Sequence, residues 1–162
     1  MSFLEKDLEN IIWESDNEKL REKGLEIYGK KFRQIRIGNY GVADLITVER
    51  KIDCYFNNFL DITVYELKKE KAGISAFLQA IRYCKGIQTY MLNKRSSILF
   101  KLNIVLCAKN IDTESDYIFI PDLIFSDEYE KICTVHNYSF NYGIDGIIFK
   151  RERNYDLIDK GF

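Results

Sequence analysis

Gly41-Val42-Ala43-Asp44-Leu45 and Val64-Tyr65-Glu66-Leu67-Lys68 decide how this chain reads. Both runs are dominated by residues that favour a pleated, buried strand, yet they carry Asp44, Glu66 and Lys68. Side chains alternate along a strand, so Glu66 and Lys68 share one face. Charges set among Val42, Leu45, Val64 and Leu67 are unfavourable unless they pair or hold a metal. The pattern predicts a sheet with a charged site built into it.

Outward from these strands the chain reads as mixed α/β. Toward the N-terminus, Phe32–Ile37 predicts a strand that turns at Gly38–Gly41 into a strand over Val42–Arg50. Before it lie a helix over Ser2–Ser15 and a short helix or turn over Asn17–Ile27. Leu4, Leu8, Ile11 and Ile12 recur on one side of the first helix, and Ser2-Phe3-Leu4-Glu5 fits a capping box. Lys51–Asp61 reads as a connection in which Asn57-Asn58 makes a tight turn. Ile62–Lys68 is the next strand, followed by a helix over Ile74–Tyr90 with Ile74, Phe77, Leu78, Ile81 and Cys84 as its apolar stripe. Leu102–Ala108 reads as a buried strand. Tyr117–Phe125, which contains Pro121, is ambiguous, and Ile132–Phe140 and Ile147–Arg151 read as strands joined through Tyr142–Gly146. Helices and strands in this order predict one mixed central sheet flanked by helices.

The chain has 162 residues, 46% of them hydrophobic, which suits one domain with a real core. No stretch approaches the roughly 20 apolar residues of a membrane span, and Met1–Asn10 lacks a signal-peptide core. The four cysteines, Cys54, Cys84, Cys107 and Cys133, sit in apolar runs without C-x-x-C spacing, which predicts reduced core thiols and a cytoplasmic protein. A net charge of −1 is unhelpful for gripping nucleic acid. The charge is uneven, however: Lys19–Arg36 is basic, as are Lys68–Lys71, Arg82, Lys85, Lys94, Arg95 and Lys101, whereas Asp112–Glu130 is acidic. Modest, salt-sensitive binding through one face is the expectation, with Arg33, Arg36 and Arg82 as phosphate-contact candidates.

With a single histidine, His136, the chain has no multi-histidine zinc site and little scope for a nucleophile activated by a histidine base. Gly38 and Gly41 lack the lysine context of a phosphate loop. Carboxylate and metal chemistry remains. Phosphodiester hydrolysis needs a positioned water, neutralised charge and help for the leaving oxygen, and magnesium held by one or two carboxylates supplies all three. Asp44 and Glu66 on neighbouring strands can hold such an ion, with Lys68 orienting the water.

Asp44 followed by Glu66-Leu67-Lys68, after a first helix and before a long one, resembles the PD-(D/E)XK nuclease superfamily with its restriction-endonuclease-like core. The resemblance implies that Asp44 and Glu66 bind magnesium or manganese, that the Leu67 backbone carbonyl is a further ligand, and that Lys68 assists the water. Two more positions fit it. Glu5-Lys6-Asp7-Leu8 matches the E-x-x-L of the first helix, with Glu9 as the competing glutamate. Gln79-Ala80-Ile81-Arg82-Tyr83 matches the Q-x-x-x-Y of RecB-like members, which implies a site role for Gln79. Gly41–Tyr83 is also similar to the catalytic domain of archaeal-type mismatch and branched-DNA endonucleases.

The resemblance covers about residues 2–108 and leaves 109–162 as added strands and a candidate interface. Val42-Ala43 replaces the usual proline before the aspartate. The long spacer between Asp44 and Glu66 implies an inserted hairpin, whose Tyr55, Phe56 and Phe59 could stack on bases or simply pack, and whose Asp61 competes with Asp44 as a ligand. The implied function is a magnesium- or manganese-dependent DNA endonuclease, acting as a homodimer or with a protein partner and away from membranes. The other reading is a non-catalytic nucleic-acid- or protein-binding module on the same fold, such as a phage or mobile-element interaction protein.

Overall fold

The structure, a computed structural model, describes residues 3, 5–94, 97–118, 120 and 133–152. Its centre is a six-stranded mixed sheet in the order β1-β2-β3-β5-β7-β8. These strands are β1 (Lys30–Arg36), β2 (Val42–Ile52), β3 (Asn58–Leu67), β5 (Leu99–Ala108), β7 (Cys133–Gly143) and β8 (Gly146–Glu152), and β4 (Lys71–Ala72) pairs with β6 (Asn110–Ile111) beside it. β1, β2 and β3 form an antiparallel meander, β3, β5 and β7 run parallel, and β8 returns antiparallel to β7. The long helix α3 (Ile74–Asn93) makes the crossover from β3 to β5 and packs on one face. Helices α1 (Glu5–Glu14) and α2 (Asn17–Glu22) supply the other core. No helix among the described residues is long and apolar enough to cross a membrane.

Strand alternation sorts the side chains into these two cores. Ile46, Ile62, Val64, Ile104 and Leu106 face α3 with Phe77 and Tyr83, while Leu45, Tyr65, Leu67, Val105 and Cys107 face Leu8 and Ile12 of α1. Each fully buried aliphatic or aromatic side chain of this kind contributes about 1.5–3 kcal/mol.

The expected elements are present, with differences that have physical causes. Lys51–Asp61 does form a hairpin, built as the continuation of β2 and β3 themselves, which pair from Leu45↔Tyr65 to Ile52↔Asn58. A cross-strand ion pair holds this extension, with Lys51 Nζ 2.6 Å from Asp61 of β3, and Glu49 of the same strand lies 3.5 Å from that ammonium. The turn is centred on Asp53–Asn57, not on Asn57-Asn58, because Asp53 Oδ1 accepts the backbone N–H groups of Tyr55 and Asn57 at 2.8 Å. Asp61 therefore lies at the far end of β3 from Glu66, bonded to Lys51 and Asn103. Cys54 is exposed at this tip, contrary to the core expectation, while Cys84 and Cys107 are buried free thiols.

In α3 the buried face is Ala76, Phe77, Ala80, Tyr83, Cys84 and Gly86, and Leu78 is exposed. The small residues set the helix close to its neighbours. A Cβ on Gly86 would stand 2.5 Å from Ile37 Cγ2 and 2.8 Å from Tyr40 Cδ2. Gly86→Ala should therefore destabilise the protein by about 1–3 kcal/mol, against the gain of up to ~1 kcal/mol that helix propensity alone would give. Denaturant melts check the sign.

The tip gives the opposite prediction. Phe56 is exposed and adopts φ +65°, a conformation costing a side-chain-bearing residue about 1–3 kcal/mol. Phe56→Gly should raise stability by up to ~1 kcal/mol once the extra freedom of glycine in the unfolded chain is counted. A lowered melting temperature would show that the ring packs on something in solution.

The predicted capping serine, Leu4, Pro121 with the rest of 121–125, and Ile132 lie outside the described residues. The two strands expected within 109–162 are β7 and β8, and they belong to the central sheet.

Candidate active site

The antiparallel ladder between β2 and β3 ends at Leu45↔Tyr65. Continued by one step, it would set Asp44 opposite Glu66. The β1–β2 ladder likewise passes over the position where Gln34 would face Asp44. Gln34 takes φ +49° there, and Ala43 and Leu45, two residues apart, fall in different cores. Alternation in β2 thus breaks at Asp44, and the site is a fork where the strands part at the carboxyl end of β3. In open α/β sheets that end is where ligands gather.

Asp44 replaces part of the lost ladder: its Oδ2 accepts the Leu67 backbone N–H at 3.3 Å. Glu66 is 1% exposed. Its Oε1 lies 2.8 Å from Lys68 Nζ, whereas its Oε2 is buried and has no hydrogen-bond partner among the described residues. Buried polar atoms are ordinarily satisfied. An orphaned carboxylate oxygen beside a second carboxylate is a donor set whose chemistry suits a divalent cation. Among the described residues no three His, Cys, Asp or Glu side chains gather closely enough to hold a metal. A two-carboxylate set suits magnesium or manganese, which keep several waters, better than zinc.

The electrostatics follow from this burial. Glu66 is pushed up to about 7 by burial, opposed by Lys68 and reinforced by Asp44 and Glu5. Burial also raises Asp44, against the Leu67 N–H and Lys68, with Glu5 and Glu9 adding to the rise. Burial alone would lower Lys68, but Glu66, Glu5 and Asp44 together outweigh it and hold the ammonium above its ordinary range. Lys68 is therefore a charged donor at neutral pH.

The flanking positions fall as follows. Glu5 of α1 is partly exposed, with Oε1 4.0 Å from Lys68 Nζ. Glu9, one turn on, is buried and taken up by β1: Arg33 Nε donates to its Oε1 at 3.0 Å and Gln34 Nε2 to its Oε2 at 2.8 Å. Gln79 Nε2 donates to the Tyr83 hydroxyl at 2.7 Å. Tyr83 is buried, and its phenol is raised by burial, opposed by Gln79, then raised further by Glu66 and Asp44. Gly41, at φ +115°, admits this ring, because a Cβ there would lie 3.0 Å from Tyr83 Cε1.

Of the basic candidates, Arg36 and Arg82 are exposed. Arg33 is bound to Glu9 and Asn10 and lies over the Trp13 ring. Other cations of the basic stretch are also engaged: Lys31 binds the Ile12 and Ser15 carbonyls at the end of α1, and Arg21 donates to the Ile27 carbonyl. Gln34 was not foreseen from the sequence, since nothing in Lys31-Phe32-Arg33-Gln34-Ile35 distinguishes it from an ordinary strand residue.

The chain matches no family model, no curated protein and no solved structure.

Proposed function

We propose that this protein is a divalent-cation-dependent DNA endonuclease on a restriction-endonuclease-like core of the PD-(D/E)XK type. The observation that carries the reading is the fork itself: Asp44 beside a buried Glu66 with one oxygen unpartnered among the described residues, and Lys68 on the rim. A charged constellation of this kind is a burden on folding unless it is used.

Asp44, Glu66 and the Leu67 carbonyl would hold magnesium or manganese. When bound, the cation supplies positive charge at the scissile phosphate and makes water a stronger nucleophile at neutral pH. Lys68, as an ammonium, can hold the attacking water in line and offset charge developing on the phosphate. Glu5, 4.0 Å from Lys68, helps fix that ammonium. Gln79 orients the Tyr83 hydroxyl on the wall of the fork. Because Arg21, Lys31 and Arg33 are consumed within the fold, phosphate grip falls to residues such as Arg36 and Arg82, and binding should weaken steeply with salt.

Cleavage of single-stranded, duplex and branched DNA with manganese or magnesium, against an EDTA control, tests the reading. Cation-dependent cutting is expected. Folded protein that binds these DNAs but cuts none of them would favour the non-catalytic binding module instead.

A further inference from the structure

A second site lies on the opposite side of the sheet from α3, beyond the reach of α1. β3, β5 and β7 are parallel, and parallel strands are ordinarily covered on both faces. Under α1 this face is apolar, with Leu45, Leu67 and Cys107 in its core. Toward the amino ends of β3 and β5 the same face turns polar, and a groove of about 310 Å³ opens over Thr47, Thr63, Asn103 and Thr134. It is separate from the fork: its β3 residues are Asp61, Thr63 and Tyr65, which alternate with Glu66 and Lys68.

The floor is built rather than merely uncovered. Thr47 and Asn103 are 2% and 8% exposed. A chain of side-chain hydrogen bonds, Lys51 to Asp61, Asn103 to Asp61 and Thr134 to Asn103, crosses β2, β3, β5 and β7. Such a network fixes polar groups in advance of a ligand.

Both signs of charge line it, Glu26 among them, whose Oε2 accepts the Tyr28 hydroxyl at 2.8 Å. On the β2–β3 side the carboxylates of Glu49 and Asp61 share the one ammonium of Lys51. On the other side stand Lys101, His136 and Arg151. Arg151 Nη2 lies 2.7 Å from His136 Nδ1. A guanidinium can only donate, so His136 Nδ1 is the acceptor of this contact and holds the Arg151 fork on that wall. Tyr28, 45% exposed, stands on the rim, with the Arg21 guanidinium 4.7 Å from its ring centroid.

We propose that this groove binds a nucleotide unit. The phosphate would meet Lys101 and Arg151, the sugar hydroxyls or base amino groups would meet Glu49 and Asp61, and the base would lie against the face of Tyr28 turned away from Arg21. A bare anion satisfies one wall only, and an uncharged nucleoside only the other. The volume is at the small end of the range for ligand sites, roughly 300–1,000 Å³. The unit could be a free nucleotide or part of a strand, and the chemistry is the same in both.

Calorimetric titration in EDTA tests this without calling on the fork. The probes are the common ribonucleoside 5′-monophosphates, inorganic phosphate, adenosine, and a short 5′-phosphorylated oligothymidylate. At least one mononucleotide or the oligonucleotide should bind about tenfold or more tightly than phosphate and adenosine. The exposed pair Lys101→Ala with Arg151→Ala should weaken that binding by about tenfold or more, while Asp44→Asn leaves it unchanged. Preference for the oligonucleotide assigns the groove to a strand, and preference for a mononucleotide assigns it to a free ligand. Saturable binding of phosphate alone at equal strength, no binding of any nucleotide, or full binding by the folded double variant would each overturn the proposal. None of these results bears on cleavage, so this proposal and the nuclease reading fail separately.

Discussion

Lys68→Ala is expected to lower cation-dependent cleavage by about 10²–10⁴-fold, the span over which a positioned proton-handling or charge-stabilising group acts. The fold should survive, because Lys68 is only half-buried and follows the last residue of β3. Two effects combine. The ammonium 2.8 Å from Glu66 is lost from the place where the attacking water would be oriented. Glu66, already pushed up to about 7, also loses the chief influence lowering it. In the variant Glu66 stays protonated to higher pH and competes less well for a cation. Residual cleavage by Lys68→Ala should therefore climb with pH more steeply than cleavage by the wild type. Lys68→Arg keeps the charge but not the compact ammonium, and should fall between the two. Single-turnover rates across pH, with melting curves to confirm folding, check all three. Cutting by Lys68→Ala within a few-fold of wild type would reduce Lys68 to an ion-pair partner of Glu66. Glu66→Ala, which removes a ligand outright, should leave no measurable cleavage.

Much of this was legible in the sequence because it depended on local period. Val64–Lys68 reads as a strand with Glu66 and Lys68 on one face, and the structure brings that pair to 2.8 Å. Ile74–Tyr90 reads as a helix, and α3 spans Ile74–Asn93. What could not be read depends on partners distant in sequence. Glu9 reads as a glutamate competing with Glu5 for the site until Arg33 and Gln34 of β1 arrive to take up its carboxylate. Gln34 takes a left-handed backbone because the ladder opens at Asp44, and no propensity announces that. Leu78 reads as core, yet the helix rolls onto Ala76, Ala80 and Gly86, whose small size permits close approach. The polar groove is the extreme case. Thr47, Asp61, Asn103 and Thr134 lie on four different strands and meet only once the parallel register is set.

Glu66→Gln should make the cation-free protein more stable at neutral pH while ending its activity. Glu66 has an ordinary value of 4.5 and is pushed up to about 7 by burial in the fold. The folded state thus holds this proton more tightly than the unfolded chain does, and stability must fall as pH rises between those values. The contribution is fully present below about 4.5 and lost once pH passes about 7; a shift of this size corresponds to about 3 kcal/mol, at ~1.4 kcal/mol per pH unit. Asp44, also raised by burial, adds a loss of the same sign beginning at its ordinary 3.8. Asp53 and Asp112 are lowered by their hydrogen bonds, so their opposite effect lies below the ordinary carboxylate range and outside this window. Urea melts in EDTA should show wild-type stability declining from pH 5 to pH 8, with a markedly flatter profile in Glu66→Gln because the amide never charges. Magnesium should lift the wild type near pH 7.5, since a cation neutralises Glu66 as the proton does at pH 5, and should do little for the variant. Flat wild-type stability across that range would mean that Lys68 alone compensates the buried carboxylate. The fork would then be an ordinary ion pair with no call for a metal.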